Sequence, residues 1–215
     1  MIRVKVPPNE SFLMNSTINN LTEEEIWRSE DTYVARGAYM YCSMGTHEDV
    51  LNQIENHGVY INGHSMMTVA DCVVSASEAI HGVVEFDSPG NKIDGNIYSF
   101  GFCRSLRHPL KVAEQSGTYI DSSYIHDVDP KTGKQKFGEL IFPCVPKLDP
   151  IPMDTSNGSF TLGTRWSGGS SNVSIQGVPA LTSSSCLYCR WGGTIKFLTN
   201  GMDPAPYEII PGGVK

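Results

Sequence analysis

The chain carries one short segment twice, at a fixed separation of 114 residues, and this repeat constrains its fold more than any other feature. Val59-Tyr60-Ile61-Asn62-Gly63 corresponds to Val173-Ser174-Ile175-Gln176-Gly177. The same offset, without a gap, aligns two further pairs: Thr68 with Thr182, and Cys72 with Cys186. The first copy reads as a strand, a turn at Asn62-Gly63 and a second strand, so each copy is predicted to be a β-hairpin. A hairpin cannot bury its apolar face alone, and we therefore expect the two copies to pack together.

The composition agrees with a fold built from short strands. The chain has 21 glycines and 13 prolines, and its 18% of charged residues is low for a soluble domain. Helical bundles and coiled coils need far more Ala, Glu, Lys and Leu than this sequence offers. We therefore expect a mainly β protein in which tight turns join short antiparallel strands.

Local patterns place several elements along the chain. Residues 32–45 alternate and are rich in Tyr, which predicts a strand, and Pro109 to Gln115 predicts a short helix with Pro in its first turn. Thr22 and Glu25 form a capping box for a second helix from about Leu21 to Ser29. A hairpin is expected around Lys131 to Gly133, and residues 148–172 are expected to be a long Gly/Ser-rich connection.

These patterns divide the chain into three parts. Residues 1–30 are predicted to be an N-terminal arm with its short helix, residues 31–203 the β domain, and residues 204–215 a C-terminal tail. The start of the sequence lacks the apolar core of a secretory signal, and no run of 18 apolar residues occurs. We expect synthesis in the cytoplasm and no membrane span.

Charge and motifs exclude several functions. Sixteen basic against 23 acidic residues give a net charge of −7, which disfavours a general nucleic-acid binder. No carboxylate pair has acid–base spacing, and neither a G-x-S-x-G elbow nor a Gly-rich phosphate loop is present. The protein is therefore predicted not to be an enzyme. His47 and His57 could each supply a ligand, but we expect them to be surface or hydrogen-bonded residues.

Cysteine is the residue that points to chemistry. In a reducing compartment, metal ligation is the leading special use of cysteine, and the plain alternative is that each thiol is a small buried hydrophobe. Four cysteines stand at turn-like junctions after apolar stretches, where thiolates could converge on an ion: Cys42, Cys103, Cys144 and Cys189. Cys186 and Cys189 form a single C-x-x-C that precedes a turn and a strand, which disfavours a thioredoxin-like role. The spacing alone does not name the ligands.

Five segments together resemble the PAAR-like proteins, relatives of the PAAR-repeat proteins that tip the spikes of contractile injection machines. They occur in the expected order from about Val34 to Gly201: GAYMYCSMG, NIYSFGFCRSLRHP, FPCVP, VSIQGVPALTSSSCLYCRWGGTI and TNG. VSIQGVPA is similar to the V-x-I-x-G-x-P-A element of PAAR proteins. The first copy of the repeat is similar too, with Ser65 in place of the Pro.

The resemblance implies a compact cone of short antiparallel β-hairpins with one or two short helices, stabilised by one metal ion. It implies four metal ligands, Cys42, Cys103, Cys144 and Cys189, whereas PAAR proteins proper use mainly His with one Cys. Zinc is the expected metal, with iron as the alternative. Cys72 and Cys186 are expected to be accessory thiols that form a second pair or extend the site.

The resemblance also implies a function. A monomeric tip would cap a trimeric spike of the VgrG or phage-spike type, sharpen it for membrane piercing and carry effector cargo. Such a tip is made in the bacterial cytoplasm, leaves on contraction and meets a membrane only during piercing. Because a monomer has no threefold axis, its base needs a pseudo-threefold arrangement of hairpins. The alternative from another class is a cytoplasmic zinc or iron enzyme, or a redox protein, that uses the same cysteines.

Overall fold

The computed structural model describes residues 31–75, 94–118, 126–128, 135–154 and 160–202. The predicted N-terminal arm and its helix, the C-terminal tail and the turn at Lys131 to Gly133 lie outside these ranges.

The described residues form short strands and one helix, as the composition predicts. In chain order the elements are β1 (Tyr39–Cys42), β2 (Glu48–Val50), β3 (Tyr60–Ile61), β4 (His64–Ser65), β5 (Phe102–Cys103), α1 (Pro109–Gln115), β6 (His126–Val128), β7 (Gln135–Leu140), β8 (Phe142–Pro143), β9 (Ile151–Asp154), β10 (Phe160–Gly163), β11 (Ser174–Ile175), β12 (Val178–Pro179), β13 (Cys186–Tyr188) and β14 (Thr194–Phe197). The prediction of a mainly antiparallel β fold is confirmed.

The strands pair locally, in small sheets. One sheet has four strands in the order β13-β14-β1-β2, and the others are two-stranded: β3 with β4, β5 with β8, β6 with β7, β9 with β10, and β11 with β12. Apart from β5–β8 and the contact of β14 with β1, each pair joins neighbours in sequence. Tight turns between short strands explain the high Gly content.

The internal repeat is present in the structure as two matching hairpins, β3–β4 and β11–β12. Tyr60 pairs with Ser65 in the first, and Ser174 with Pro179 in the second, at the same offset of 114. Both turns have two consecutive residues with positive φ, 50° and 82° in the first copy and 51° and 83° in the second. This is the geometry of a type I′ turn, which Asn-Gly favours. The prediction of one hairpin built twice is confirmed.

A closed ring of backbone hydrogen bonds joins the two copies to a third segment of the chain. The N–H of Val34 donates to the carbonyl of Leu181 at 2.9 Å, and Leu181 donates to Met67 at 2.9 Å. Met67 completes the cycle by donating to Val34 at 3.1 Å. Because each residue donates once and accepts once in rotation, the three segments are related by a pseudo-threefold axis.

The same rotation holds for the neighbouring residues. The residue two positions after each ring member donates its N–H to the carbonyl of another segment, in the order of the chain. The three bonds are Arg36 to Ser65 at 2.9 Å, Val69 to Pro179 at 3.0 Å and Ser183 to Thr32 at 2.8 Å. Three antiparallel bridges obey the rotation as well: Ala35 with Met66, Thr68 with Ala180, and Thr182 with Tyr33. We call residues 32–36, 65–69 and 179–183 the three-segment ring.

The core lies around this ring. Val34, Met67 and Leu181 are fully buried and share one apolar cluster with Trp166. The indole of Trp166 donates to the carbonyl of Asp71 at 2.8 Å and stacks on Phe197, with ring centroids 4.5 Å apart. A buried Trp is thus held by both an apolar and a polar contact.

One sequence prediction is wrong and another is confirmed. The segment 148–172, predicted to be a long Gly/Ser-rich connection, contains the paired strands β9 and β10, in which Ile151 pairs with Gly163. Two paired strands therefore occupy part of the predicted connection. Helix α1 has the predicted bounds, with Gly117 beyond its end at φ +83°. Among the described residues, no helix has the length and hydropathy needed to cross a bilayer.

Candidate metal centre

Each of the four predicted ligands stands at the end of a strand. Cys42 ends β1 and Cys103 ends β5, whereas Cys144 follows β8 and Cys189 follows β13. Strands β5 and β8 pair directly, and β1 and β13 belong to the four-stranded sheet. The four thiols therefore come from two separate strand assemblies.

The pseudo-threefold relation extends to two of these cysteines. Cys42 and Cys189 each lie eight residues after a ring member, Val34 and Leu181 respectively. Both open a turn in which the cysteine carbonyl accepts from a glycine N–H three residues on, at 2.9 Å for Cys42 and 2.8 Å for Cys189. Ser75 stands at the equivalent position after Met67.

Backbone hydrogen bonds connect the turn after Cys42 to the β5–β8 pair. The carbonyl of Phe100 accepts from Thr46 at 3.0 Å, and the N–H of Phe100 donates to the carbonyl of Cys144 at 2.9 Å. The N–H of Arg104 donates to Met44 at 2.8 Å. These bonds bring the loops after Cys42 and Cys103 together.

The thiols of Cys42, Cys103 and Cys144 meet in the core. Cys144 forms side-chain hydrogen bonds with both Cys42 and Cys103. All three are buried, with at most 4% of each residue exposed. A methyl group built on Gly193 would lie 2.6 Å from the Cys42 sulfur and 3.6 Å from the Cys189 Cβ, so this glycine separates the two. The structure thus brings all four predicted residues into one neighbourhood.

The comparisons with known proteins give a family. The family described as "Domain of unknown function (DUF4280)" matches residues 34–202, which include the three-segment ring from Val34 onward and all six cysteines. The chain belongs to the DUF4280 family. No curated protein and no solved structure is significantly similar to it.

The thiols of this DUF4280 domain have pKa values that are shifted in opposite directions. Hydrogen bonding with the Cys144 side chain lowers the pKa of Cys42 and of Cys103, against the opposing effect of burial. The same two contacts, together with burial, raise the pKa of Cys144 well above its ordinary value. Burial also raises the pKa of Cys189. The pKa of Cys42 and of Cys103 is thus shifted in the direction that eases loss of the thiol proton, which a metal ligand requires.

The four sulfurs are the donor type that a thiophilic metal ion prefers, but their positions do not form a metal site. Among the described residues, no three His, Cys, Asp or Glu side chains already hold the geometry of a metal centre. Four buried sulfurs from four strand ends are the ligand type and number of a structural zinc site. Binding of the metal would require each of the four thiols to lose its proton.

Cys72 and Cys186 have partners of their own. Cys72 donates to the carbonyl of Thr164 at 3.3 Å, and burial raises its pKa to about 12, so it stays protonated. The sulfur of Cys186 lies 3.0 Å from the Ser167 hydroxyl and 3.4 Å from that of Tyr188. The expectation that these thiols pair or extend the site stays a prediction.

His108 packs between the loops that carry the cysteines, and the sequence did not single it out. Its ring stacks on Phe142 and meets the edge of Trp191, with centroids 5.4 Å and 4.5 Å away. Its Nδ1 accepts from the Leu110 N–H at the start of α1. His108 thus joins loops that carry Cys103, Cys144 and Cys189. The predictions for His47 and His57 agree with the structure in that both are hydrogen-bonded, to Thr46 and to Asp71 at 2.8 Å, although His47 is buried.

Proposed function

We propose that this protein is the metal-stabilised tip that caps a trimeric spike in a contractile injection system, as its resemblance to PAAR-like proteins implies. The observation that carries the proposal is the three-segment ring. The end of a trimer presents three identical surfaces around one axis. A single chain can match them only by repeating its own structure three times, which the ring does.

The motif behind the resemblance is also the part that builds the ring. VSIQGVPA spans β11–β12 and ends at Ala180, next to the ring member Leu181. The first copy of the repeat, β3–β4, leads into Met67 in the same way. The PAAR-like element therefore supplies two of the three related segments, which supports transfer of the family's architecture to this DUF4280 chain.

We further propose that Cys42, Cys103, Cys144 and Cys189 bind one zinc ion, with iron as the alternative. The ion would cross-link the ends of four strands that belong to two separate strand assemblies. Structural zinc sites contribute about 10–16 kcal/mol of apparent binding energy to folding. A cross-link of that size would stiffen the end of the molecule that carries the cysteines.

The remaining parts of the proposal follow from the role of a tip. The cone would carry the cysteine loops at its apex, and the protein would have no enzymatic activity. It would be made in the bacterial cytoplasm and leave it on contraction. Residues 1–30 would bind effector cargo or clamp the spike.

Two measurements test this proposal. The protein is co-expressed with a trimeric spike protein of the same genome, and the purified complex is weighed by native mass spectrometry. One tip chain per spike trimer is expected, because the ring matches the trimer axis. Three chains per trimer, or separate elution of the two proteins, would contradict the capping role.

Elemental analysis of the isolated chain tests the metal. One zinc per chain is expected, with the four cysteines protected from thiol reagents until a chelator is added. A metal-free chain whose four thiols react like those of the unfolded protein would contradict the site.

A second candidate is a thiolate–metal redox protein, favoured by the lowered pKa of Cys42 and of Cys103 beside the Cys144 thiol. Iron bound by thiolates absorbs visible light, whereas zinc does not, so the spectrum of the purified protein separates the two. The four cysteines are at most 7% exposed, which leaves a substrate little access to the sulfurs.

A further inference from the structure

The loops that follow the cysteines carry a cationic and apolar surface that the metal centre does not use. Leu106 and Arg107 follow Cys103, Lys147 follows Cys144, and Arg190 and Trp191 follow Cys189. We call these five residues the basic loop surface.

Contacts between the loops hold these residues together. The N–H of Arg190 donates to the carbonyl of Lys147 at 2.7 Å. The hydroxyl of Ser105 donates to the carbonyl of Trp191. A methyl group built on Gly192 would lie 3.7 Å from the Nη1 atom of Arg107. These contacts bring together the three loops that carry the five residues.

The surface is exposed and its charge opposes that of the whole chain. Leu106 is 64% exposed, Arg107, Lys147 and Arg190 are exposed, and Trp191 is partly exposed. The chain has a net charge of −7. The loops 43–47, 104–108, 145–149 and 190–193, however, contain four Arg and Lys residues and one carboxylate, Asp149. Asp149 pairs with Arg190 at 3.1 Å in a largely exposed ion pair, which neutralises little.

We propose that the basic loop surface binds anionic phospholipid bilayers reversibly. Arg107, Lys147 and Arg190 would contact the lipid phosphates, while Leu106 and Trp191 enter the interface between headgroups and acyl chains. A nucleic acid offers phosphates but no apolar layer for an exposed Leu, whereas a bilayer offers both. Trp is enriched at that interface because its ring is amphipathic.

This inference goes beyond the spike-tip role, which requires only a passing contact with membrane. It does not depend on a spike partner, because the surface belongs to the isolated chain. Failure of the co-purification experiment and failure of the lipid experiment are therefore independent results.

The test is sedimentation of the full chain with vesicles. Vesicles of phosphatidylcholine alone are compared with vesicles containing about 30% phosphatidylglycerol, a fraction that gives a negative surface potential. Binding to the anionic vesicles only is expected, with loss of binding at high salt. The Trp emission should shift to shorter wavelength on binding when the chain carries Trp27→Phe, and adding Trp191→Phe should remove the shift because the remaining Trp166 is already buried.

Variants assign the binding to this surface. Arg107→Gln and Lys147→Gln should each weaken binding about fivefold, the effect of one cation near an anionic surface. Arg165→Gln is the matched control. Arg165 precedes Trp166, whose N–H donates to the carbonyl of Val69 in the three-segment ring. Since Arg165 is not part of the basic loop surface, its substitution should not affect binding. Equal binding to both vesicle types, an equal loss in the control, or binding of duplex DNA with the same dependence on Arg107 would overturn the proposal. Melting temperatures of the variants show that each has folded, and the salt dependence of the wild type tests the charge contribution without any variant.

Discussion

The substitution Gly193→Ala tests whether the four cysteines act as one unit. The added methyl would lie 2.6 Å from the Cys42 sulfur, closer than a side-chain carbon can approach, and 3.6 Å from Met44 Cβ and Cys189 Cβ. Since Met44 and Cys189 already contact the added methyl, the Cys42 sulfur has to shift by about 1 Å to reach an ordinary contact distance. Overpacking of this kind typically costs about 1–3 kcal/mol of unfolding free energy.

The same shift should weaken the metal site. Disturbing the orientation of ligands typically costs about 10–100-fold in metal affinity. We expect Gly193→Ala to lose zinc to a competing chelator at a concentration at least about tenfold lower than the wild type requires. Urea denaturation gives the stability loss, and titration with the chelator gives the affinity.

The matched control is Gly177→Ala at the tip of β11–β12. It has φ +83° and open space around the added methyl, so it should lose about 1–2 kcal/mol through backbone strain alone. Metal affinity should stay at the wild-type value in this control. If both variants lost stability and both kept full affinity, the sulfur of Cys42 would not be part of a metal centre.

Three further predictions use other parts of the molecule. Cys103→Ala should yield metal-poor protein with a strongly lowered melting temperature, and stoichiometric metal with unchanged melting would contradict its assignment as a ligand. Gly63→Ala should cost as much stability in urea as Gly177→Ala, because both stand at φ of 82–83° with open space around them; unequal losses would argue against equivalent hairpins. Burial raises the pKa of Asp49 from 3.8 to about 7, so the stability it contributes is present in acid and is lost as the pH rises toward 7. The stability difference between the wild type and Asp49→Asn should accordingly fall by about 1.4 kcal/mol per pH unit between about pH 5 and 7 and level off above that, whereas the difference for Val50→Ala should not vary with pH.

The sequence predicts the local elements of this fold better than its long-range contacts. The hairpin at Asn62-Gly63 was predictable because the turn needs residues that tolerate positive φ, and only a few types do. The third segment of the ring, residues 32–36, has no such signal. Its place is fixed by backbone hydrogen bonds, which leave no mark on the side chains beyond the apolar character of Val34. The pairing of β9 with β10 was missed because the Gly and Ser residues of the segment 148–172 are typical of a connection.

The candidate site shows the same division. The positions of the four cysteines at strand ends followed from the apolar runs before them. Their meeting depends on the pairing of β5 with β8 and on the contacts of Phe100 with Thr46 and Cys144. These contacts join segments that lie more than forty residues apart and have no sequence pattern. The role of His108 also escaped prediction, because a His that packs on aromatic rings is recognised only once the rings are in place.

The three-segment ring has a consequence for how the chain is produced. Leu181 donates to the carbonyl of Met67 and accepts from the N–H of Val34, so the cycle stays open until residues 179–183 have left the ribosome. Until then the early hairpins have unpaired edges, which are prone to wrong association during synthesis. Closure across some 150 residues also makes for slow folding, because the entropy of a large loop is lost before its contacts form. We therefore expect the nascent chain to bind a chaperone that covers its apolar strands until residues 179–183 have been synthesised.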